Sequence, residues 1–480
     1  MRGRADGVSG PELEAPRNAF VQWAEEELGG ADLGDARRTA RLVKIAAEFL
    51  QTSEGSIPKA CRPWHEAKAA YRFFQNSDVD PKAILAAHRA RTVERAREHP
   101  VVLAIGDTSM LDYTGHPATE GLGPLSDLVH QGLMVQPTLC VTPDRVPLGL
   151  LDLQTWVRKR KGFGESETRH LKKSIRAKES FKWLLSLQAG EVLQQELLAQ
   201  GATTRVVAVF DREGDVFEVL AQAAAPQTCC RLLVRASSNR RVEHPQQHLW
   251  SHMEAQPRAG ELRITVPRKP GRRAREATLG VRFAPVIIRP PTHRKSARGL
   301  PSISVFAVYA HEEDPPKGVE PVSWMLLSTV PVYSYEDAVR LVEWYTVRWT
   351  IEMFFKVLKS GCNAEERQLE AVDRLLRCLT LDSVVAWRIL YLTTAGRQTP
   401  DLPCTVVFED SEWKSVWAYM HGSTAVPEEP PRLQDMVRMV GRLGGYLARR
   451  SDGPPGMIVL WRGLQRVPDL ARMWDLFRGS

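Results

Sequence analysis

The sequence predicts an α/β protein in three parts, with a strand-rich centre between two helical ends. Three observations lead there. The chain has 480 residues, enough at roughly 150 residues per domain for about three domains. Apolar residues recur at helical spacing before residue 100 and again after residue 363. Between these ends, short apolar runs alternate with helical stretches, as in an α/β sheet with some parallel pairing. The expected parts are 1–100, 101–362 and 363–480.

Residues 1–19 are Gly/Pro-rich and polar and are expected to be frayed. From Phe20 to about Pro100 the chain reads helical. Asp35 is placed to cap a helix whose apolar face is Ala36, Ala40, Val43, Ala47 and Leu50. Arg37, Arg38, Arg41 and Lys44 flank that face. Further helices carry Ala67, Ala70, Tyr71 and Phe74, and Ile84, Leu85, His88 and Val93. A basic helical bundle here suits a DNA reader or a cap on the main domain, and the pattern leaves both open.

The centre switches period. Strands are expected at Val101–Gly106, Leu133–Thr142, Val146–Trp156, Arg205–Phe210 and Arg231–Ala236, with helices at about 168–190 and 214–224. Residues 240–320 are Arg- and Pro-rich. Short strand-like pieces at Glu261–Val266, Ala277–Phe283 and Ser302–Tyr309 read as a β insertion. Trp324–Thr329 is another strand, and a long helix follows at about 335–359. Helices return near 365–396, 432–450 and 458–477.

Composition narrows the class. Hydrophobic residues are 43% and charged residues 25%, an ordinary globular balance. No run of 18 apolar residues exists, so no membrane span is expected. The first 30 residues lack an apolar signal core, which points to a cytoplasmic protein. Seven cysteines without a C-x-x-C fit a reducing compartment and give no zinc signature. Lys+Arg 65 against Asp+Glu 57 leaves +8. That balance suits a polyanion partner or simply a basic surface.

The chemistry concentrates in three places. Two buried-type runs, VVLAIG and RVVAVF, each end in an aspartate, Asp107 and Asp211. Open α/β sheets place ligands at the carboxyl ends of their strands. Two such carboxylates can hold a divalent metal, or each can begin a turn. The helix around 341–359 is more informative. At 100° per residue, Tyr345, Arg348, Glu352, Lys356 and Lys359 share an arc of about 80°. Val347, Ile351, Phe354, Val357 and Leu358 take the opposite side. One face packs, and the other presents a carboxylate flanked by cations and a phenol. Three carboxylates can hold a pair of Mg²⁺ ions, with Mn²⁺ as a substitute, for phosphodiester chemistry. Arg348, Lys356 and Lys359 beside them suit phosphates. A G-x-S-x-G elbow and a P-loop are both missing. His65, His130 and His170 lack paired metal spacing and read as structural or surface residues.

These blocks resemble the bacterial cut-and-paste DDE transposases of the transposon-five type, within the insertion-sequence-four group. The matching segments are Leu33-Gly34-Asp35-Ala36-Arg37-Arg38-Thr39-Ala40-Arg41, Gly106-Asp107-Thr108-Ser109, Asp211-Arg212-Glu213, and above all Tyr345-x2-Arg348-x3-Glu352-x6-Lys359. The resemblance runs from about Phe20 to the C-terminus.

It implies a ribonuclease-H-like catalytic core, with Asp107, Asp211 and Glu352 as metal ligands for two Mg²⁺ ions. It implies nicking at double-stranded transposon ends, hairpin formation and opening, and joining to target DNA by a homodimer. Trp324, 21 residues before Tyr345, would stack on an unpaired base in the hairpin step, or be a core tryptophan. Tyr345 and Arg348 would hold a flipped nucleotide's phosphate. Arg212, Arg235 and Lys356 would contact DNA near the cleaved end, and Arg37, Arg38 and Arg41 would meet the end sequence. The C-terminal helices resemble a dimerisation region, where Gly444-Gly445-Tyr446 and Leu460-Trp461-Arg462-Gly463 match in pattern. Ser451–Gly456 departs from the family.

Two other functions remain to be weighed. A non-catalytic end-binding regulator would not need the intact acidic triad. A metal-dependent nuclease on the same fold would not need the arginine block or Trp324. The basic run Arg158–Lys161 suits DNA contact or a solvated loop.

Overall fold

The N-terminal helices form where apolar spacing and caps coincide. In the computed structural model the described residues are 19–52, 56–160, 174–245, 248–266, 274–292, 297, 299–398, 400–449 and 452–478. The Gly/Pro-rich start, His170 and Lys161 lie outside them. Five helices come first: α1 (Ala19–Leu28), α2 (Ala36–Gln51), α3 (Ile57–Ala60), α4 (Trp64–Gln75) and α5 (Pro81–Ala96). Asp35 caps α2 by accepting from Arg37 N at 2.9 Å. Asp80 caps α5 in the same way, with Pro81 in the first turn, where its missing N–H costs nothing. The buried face of α2 is Leu42, Val43, Ile45, Ala46, Ala47, Phe49 and Leu50. Ala36 and Ala40, expected on it, are exposed. The long side chains of Leu42, Ile45 and Phe49 set the face, because alanines contribute little apolar area.

One mixed sheet of eleven strands fills the centre. Its first part is β1 (Val101–Gly106), β2 (Ser109–Asp112), β3 (Gly123–Pro124), β4 (Gln131–Val141), β5 (Pro147–Trp156), β6 (Arg205–Phe210) and β7 (Arg231–Arg235). β4 lies antiparallel to β1 and β5, whereas β1, β6 and β7 run parallel. The order β5-β4-β1-β6-β7 is that of a ribonuclease-H-like core. In β6, Val206 to Phe210 are all buried, as both faces of a central parallel strand require. Helix α6 (Phe181–Ala199) covers one face, and its Trp183 packs on Phe210 with ring centroids 5.1 Å apart. Of the helix expected at 168–190, positions 168–173 lie outside the described residues, and α6 starts at Phe181, after a short 3₁₀ turn at Ile175–Ala177. The expected helix at 214–224 is α7 (Phe217–Ala223), preceded by another 3₁₀ turn.

The strands of the expected insertion lie in the same sheet as the core. β8 (Gly260–Val266), β9 (Arg275–Ile288), β10 (Ile303–His311) and β11 (Ser323–Ser328) extend the same sheet as an antiparallel meander, with β11 pairing β7. Helix α8 (Leu249–Glu254) lies on the same segment.

The long helix expected at 335–359 is broken. α9 (Tyr335–Val347) starts at a capping box on Ser334, and α10 (Trp349–Lys356) ends in a π turn at Val357–Gly361. At the break Arg348 N bonds Tyr345 O, three residues back, at 3.1 Å. Arg145, in the β4–β5 turn, donates to Thr346 Oγ1 at 2.8 Å and to Thr346 O at 3.4 Å. Arg348 keeps helical dihedrals, φ −49° and ψ −31°, so the break is one of hydrogen-bond register: Ile351 N also bonds three residues back, to Arg348 O at 3.1 Å.

The C-terminal helices are α11 (Val372–Gln398), α12 (Asp410–His421), α13 (Leu433–Leu443), α14 (Met457–Leu464) and α15 (Val467–Arg478). Sequence patterning missed α12 and joined α14 to α15. α13 and α14 cross with backbones touching. A Cβ on Gly444 would stand 1.9 Å from Val459 O, and one on Gly463 would stand 1.8 Å from Val440 O. That contact explains the two glycine-bearing segments.

Polar clusters fasten the three parts together. Buried Glu27 of α1 meets His88 Nδ1 at 2.5 Å and both Arg95 terminal nitrogens at 2.9 Å. His88 Nε2 accepts from Leu150 N of β5 at 2.8 Å, and Arg95 lies over the Trp387 ring. Burial would raise the Glu27 carboxyl, but His88 and Arg95 hold it down at about 2. Buried Arg367 pairs with Asp382 of α11 at 2.6 Å and covers the Phe49 ring of α2. Among the described residues, no helix is long and apolar enough to cross a membrane.

Candidate active site

The β1–β6 register brings two aspartates together. Pairs run from Val101↔Arg205 to Ile105↔Val209. Continued two residues past its last pair, that register sets Asp107 beside Asp211 on neighbouring strands, whose spacing is about 4.8 Å. Thr108 N donates to Asp107 Oδ1, and Glu213 N donates to Asp211 Oδ1, each at 2.8 Å. Each aspartate therefore both starts its turn and presents its remaining oxygen.

The broken helix brings the third carboxylate. Arg348 Nη1 donates to Asp107 Oδ2 at 2.6 Å, and Nη2 reaches Glu352 Oε1 at 3.4 Å. The guanidinium thus lies between two of the carboxylates. Burial pushes the Asp107 carboxyl up to about 6. Arg348 opposes that rise, while Asp211 and Glu352 add to it. Asp211 is also raised by burial, against the hydrogen bond from Glu213. Burial alone would lower Arg348, but Asp107, Tyr345 and the other two carboxylates hold it above its usual value. The pocket is short of positive charge, which suits a hard cation bound through oxygen. Among the described residues, no three His, Cys, Asp or Glu side chains stand close enough together to hold a metal ion as they lie. The donor chemistry fits such an ion, and Arg348 occupies the space between Asp107 and Glu352.

One wall of the site is aromatic and basic. Trp324 of β11 meets Tyr345 edge to face, ring centroids 5.9 Å apart and planes at 64°. Both are largely buried. Arg235, at the end of β7, hydrogen-bonds Tyr345 and donates to Ser323 O at 2.9 Å. Burial lowers its pKa and Arg212 and Arg348 lower it further, while Tyr345 opposes them. Arg212 and Lys356 are exposed. Lys359 pairs with Glu365 at 3.5 Å, and Glu365 also accepts from Asp112 N. The apolar side of the helical arc is buried from Val347 to Leu358 as expected.

The N-terminal arginines are mostly engaged. Arg38 donates to Asp78 at 2.6 Å and to Leu33 O at 2.9 Å, and Arg41 pairs with Glu66. Arg37 leans on its neighbour Asp35 but stays 91% exposed. Arg158 is tied to Glu179 and Leu125 O, as a folded loop requires. Residues that sequence reasoning missed are Gln136, Ser186, Lys182 and Arg145. Gln136 carried a signal, a lone amide inside the apolar run of β4, whereas Arg145 carried none.

Two family models match the chain. One described as transposase DNA-binding covers residues 21–79, and one described as transposase Tn5 dimerisation domain covers residues 384–473. Among solved structures, the cryo-EM structure of the piggyBac transposase synaptic complex with hairpin DNA is similar over 88% of this chain and 61% of that chain, with 8% sequence identity and a TM-score of 0.31. The chain therefore spans about three fifths of that solved chain's length. The matched segments are its N-terminal and C-terminal helices, and both matches support a transposase of the Tn5 type.

Proposed function

We propose that the protein is a cut-and-paste DNA transposase that nicks transposon ends, forms and opens a hairpin, and joins the ends to target DNA. The observation that carries this reading is the meeting of Asp107, Glu352 and Arg348 at the strand end beside Asp211. Asp107, Asp211 and Glu352 would hold two Mg²⁺ ions, or Mn²⁺ in their place. Bound there, such ions supply Lewis acidity for attack on a phosphodiester and for its leaving oxygen.

The side chains around them have their own tasks. Arg348 and Tyr345 hold the phosphate of a displaced nucleotide, because a guanidinium fork matches phosphate oxygens. Trp324 offers its ring to the unpaired base. Arg212, Arg235, Lys356 and Lys359 line the path of the end DNA. Arg37 is an exposed cation of the end-binding helices, and Arg38 and Arg41 support their shape. Met473, Leu476 and Phe477 are half or more exposed on α15, an apolar face that suits a homodimer.

The test uses purified protein, Mg²⁺ and the DNA flanking its own gene, with Asp211→Ala as control. Nicks, hairpins and joined products on a denaturing gel from wild type alone support the reading. Specific binding without any cleavage would make the protein a regulator of transposition instead.

A further inference from the structure

We propose that Gln136 positions Asp107 for the reaction, acting through Thr108. The inference rests on the reading of Asp107 as a catalytic carboxylate. Gln136 sits in the apolar run of β4 and is fully buried. A buried amide is costly unless its bonds are made. Here they are made. Its Nε2 donates to Ser186 Oγ at 2.8 Å and faces Lys182 O at 3.4 Å. A backbone carbonyl only accepts, so the amide nitrogen belongs on that side. The amide oxygen is therefore turned to Thr108, whose hydroxyl donates to it at 2.8 Å. Thr108 gives its backbone N–H to Asp107 Oδ1, and Oδ2 is left to face Arg348.

The same helix reaches the second strand end. Lys182 Nζ lies 3.2 Å from Glu213 Oε2, and Glu213 N holds Asp211 Oδ1. α6 comes this close because residue 106 is glycine. A Cβ there would lie 3.1 Å from the Phe210 ring and 3.2 Å from Ser186 Oγ. The turns carrying Asp107 and Asp211 are thus both referred to the first turns of one helix. Gln136 is the link on the Asp107 side.

The experiment compares Gln136→Leu, Thr108→Val, Thr108→Ser and the Gln136→Leu/Thr108→Val double variant with wild-type full-length protein. Nicking rate, end-DNA Kd, melting temperature and hydrogen exchange over residues 101–112 are measured. Thr108→Val removes the hydroxyl at nearly constant volume, and Thr108→Ser keeps it. Gln136→Leu and Thr108→Val should each slow nicking roughly 10–100-fold. The double variant should be no slower than the worse single, since both break one chain of bonds. Thr108→Ser should recover most of the rate, with Kd little changed throughout. Exchange at 107–109 should quicken about tenfold or more while Val101–Ile105 stay protected.

Unchanged exchange at 107–109 in Gln136→Leu would overturn the proposal whatever the gel shows. So would faster exchange along all of β1, which would make Gln136 a sheet-stabilising residue only. Nicking that survives Asp107→Ala would overturn the reading of Asp107 and the catalytic half of this inference. That failure is recognisable, because the local exchange change at Thr108 would persist.

Discussion

Arg348 and Asp107, 241 positions apart in the chain, meet at 2.6 Å with the guanidinium donating to the carboxylate. The contact joins the end of β1 to the break between α9 and α10. It also sets one positive charge among three carboxylates, since Glu352 and Asp211 are the other acids acting on the site. Burial is the largest cause of the rise of Asp107 to about 6; Arg348 opposes it, and Asp211 and Glu352 add to it. The fold thus tolerates an unfavourable charge at this point, as working sites commonly do.

That raised carboxyl gives Asp107→Asn a double signature. The unfolded carboxyl titrates near 3.8 and the folded one near 6. Between these values the folded chain binds more protons, so stability falls as pH rises through the window. The neutral amide escapes this loss. In EDTA at pH 8, Asp107→Asn should be more stable than wild type by about 1–3 kcal/mol. The gap should vanish below about pH 3, where the carboxyl is protonated in the folded and unfolded chains alike. Denaturant titrations across this range measure it. The same variant should make no nicks, and a variant that is active or no more stable at pH 8 would contradict the account.

Glu352→Gln should separate chemistry from binding. Glu352 is 40% exposed and contacts only one arm of Arg348, at 3.4 Å, so the fold does not depend on it. Its loss should lower cleavage at least a thousandfold, on the scale of removing one electrostatic partner of a transition state. The Kd for end DNA should stay within about threefold. A large loss of binding on a gel-shift titration would instead make Glu352 a DNA-contact or structural residue.

Much of this site could be read from residue spacing, because the arc from Tyr345 to Lys359 and the two aspartate-ended runs are local patterns. What could not be read comes from packing. Arg145 hydrogen-bonds Thr346, beside the helix break, from 201 positions away, and no periodicity contains that contact. The strands after residue 240 look like an insertion because Arg and Pro interrupt them. They join the central sheet through β10, which pairs β11, which in turn pairs β7, since an unpaired edge strand needs a partner. Helical spacing alone also misjudged α2, where side-chain size decides which face is buried.

The N-terminal arginines should divide by role. Arg37 is exposed, so Arg37→Ala should reduce the salt slope of end binding by up to about 0.9 and leave melting unchanged. Arg38 and Arg41 bridge to Asp78 and Glu66 of neighbouring segments. Removing either should lower stability by about 0.5–1.5 kcal/mol, as partly buried ion pairs allow. Salt titrations of binding, with thermal melts of each variant, distinguish the two roles.

Trp324→Ala should slow one step of the reaction and spare the one before it. The ring lies 5.9 Å from Tyr345 in an edge-to-face contact, a geometry worth about 0.5–1.5 kcal/mol beyond area. Truncation will therefore cost some local stability, and a melting curve must be taken first. Base–aromatic stacking contributes about 1–3 kcal/mol per base. Hairpin formation needs an unpaired base held aside, whereas the first nick does not. Nicking should keep most of its rate while hairpin formation falls about tenfold to a hundredfold, matching that energy. Trp324→Phe retains a ring at the contact with Tyr345 and should restore much of the hairpin rate. Equal loss at both steps would assign Trp324 to the core alone, because a damaged wall behind Tyr345 and Arg348 would slow every step at once.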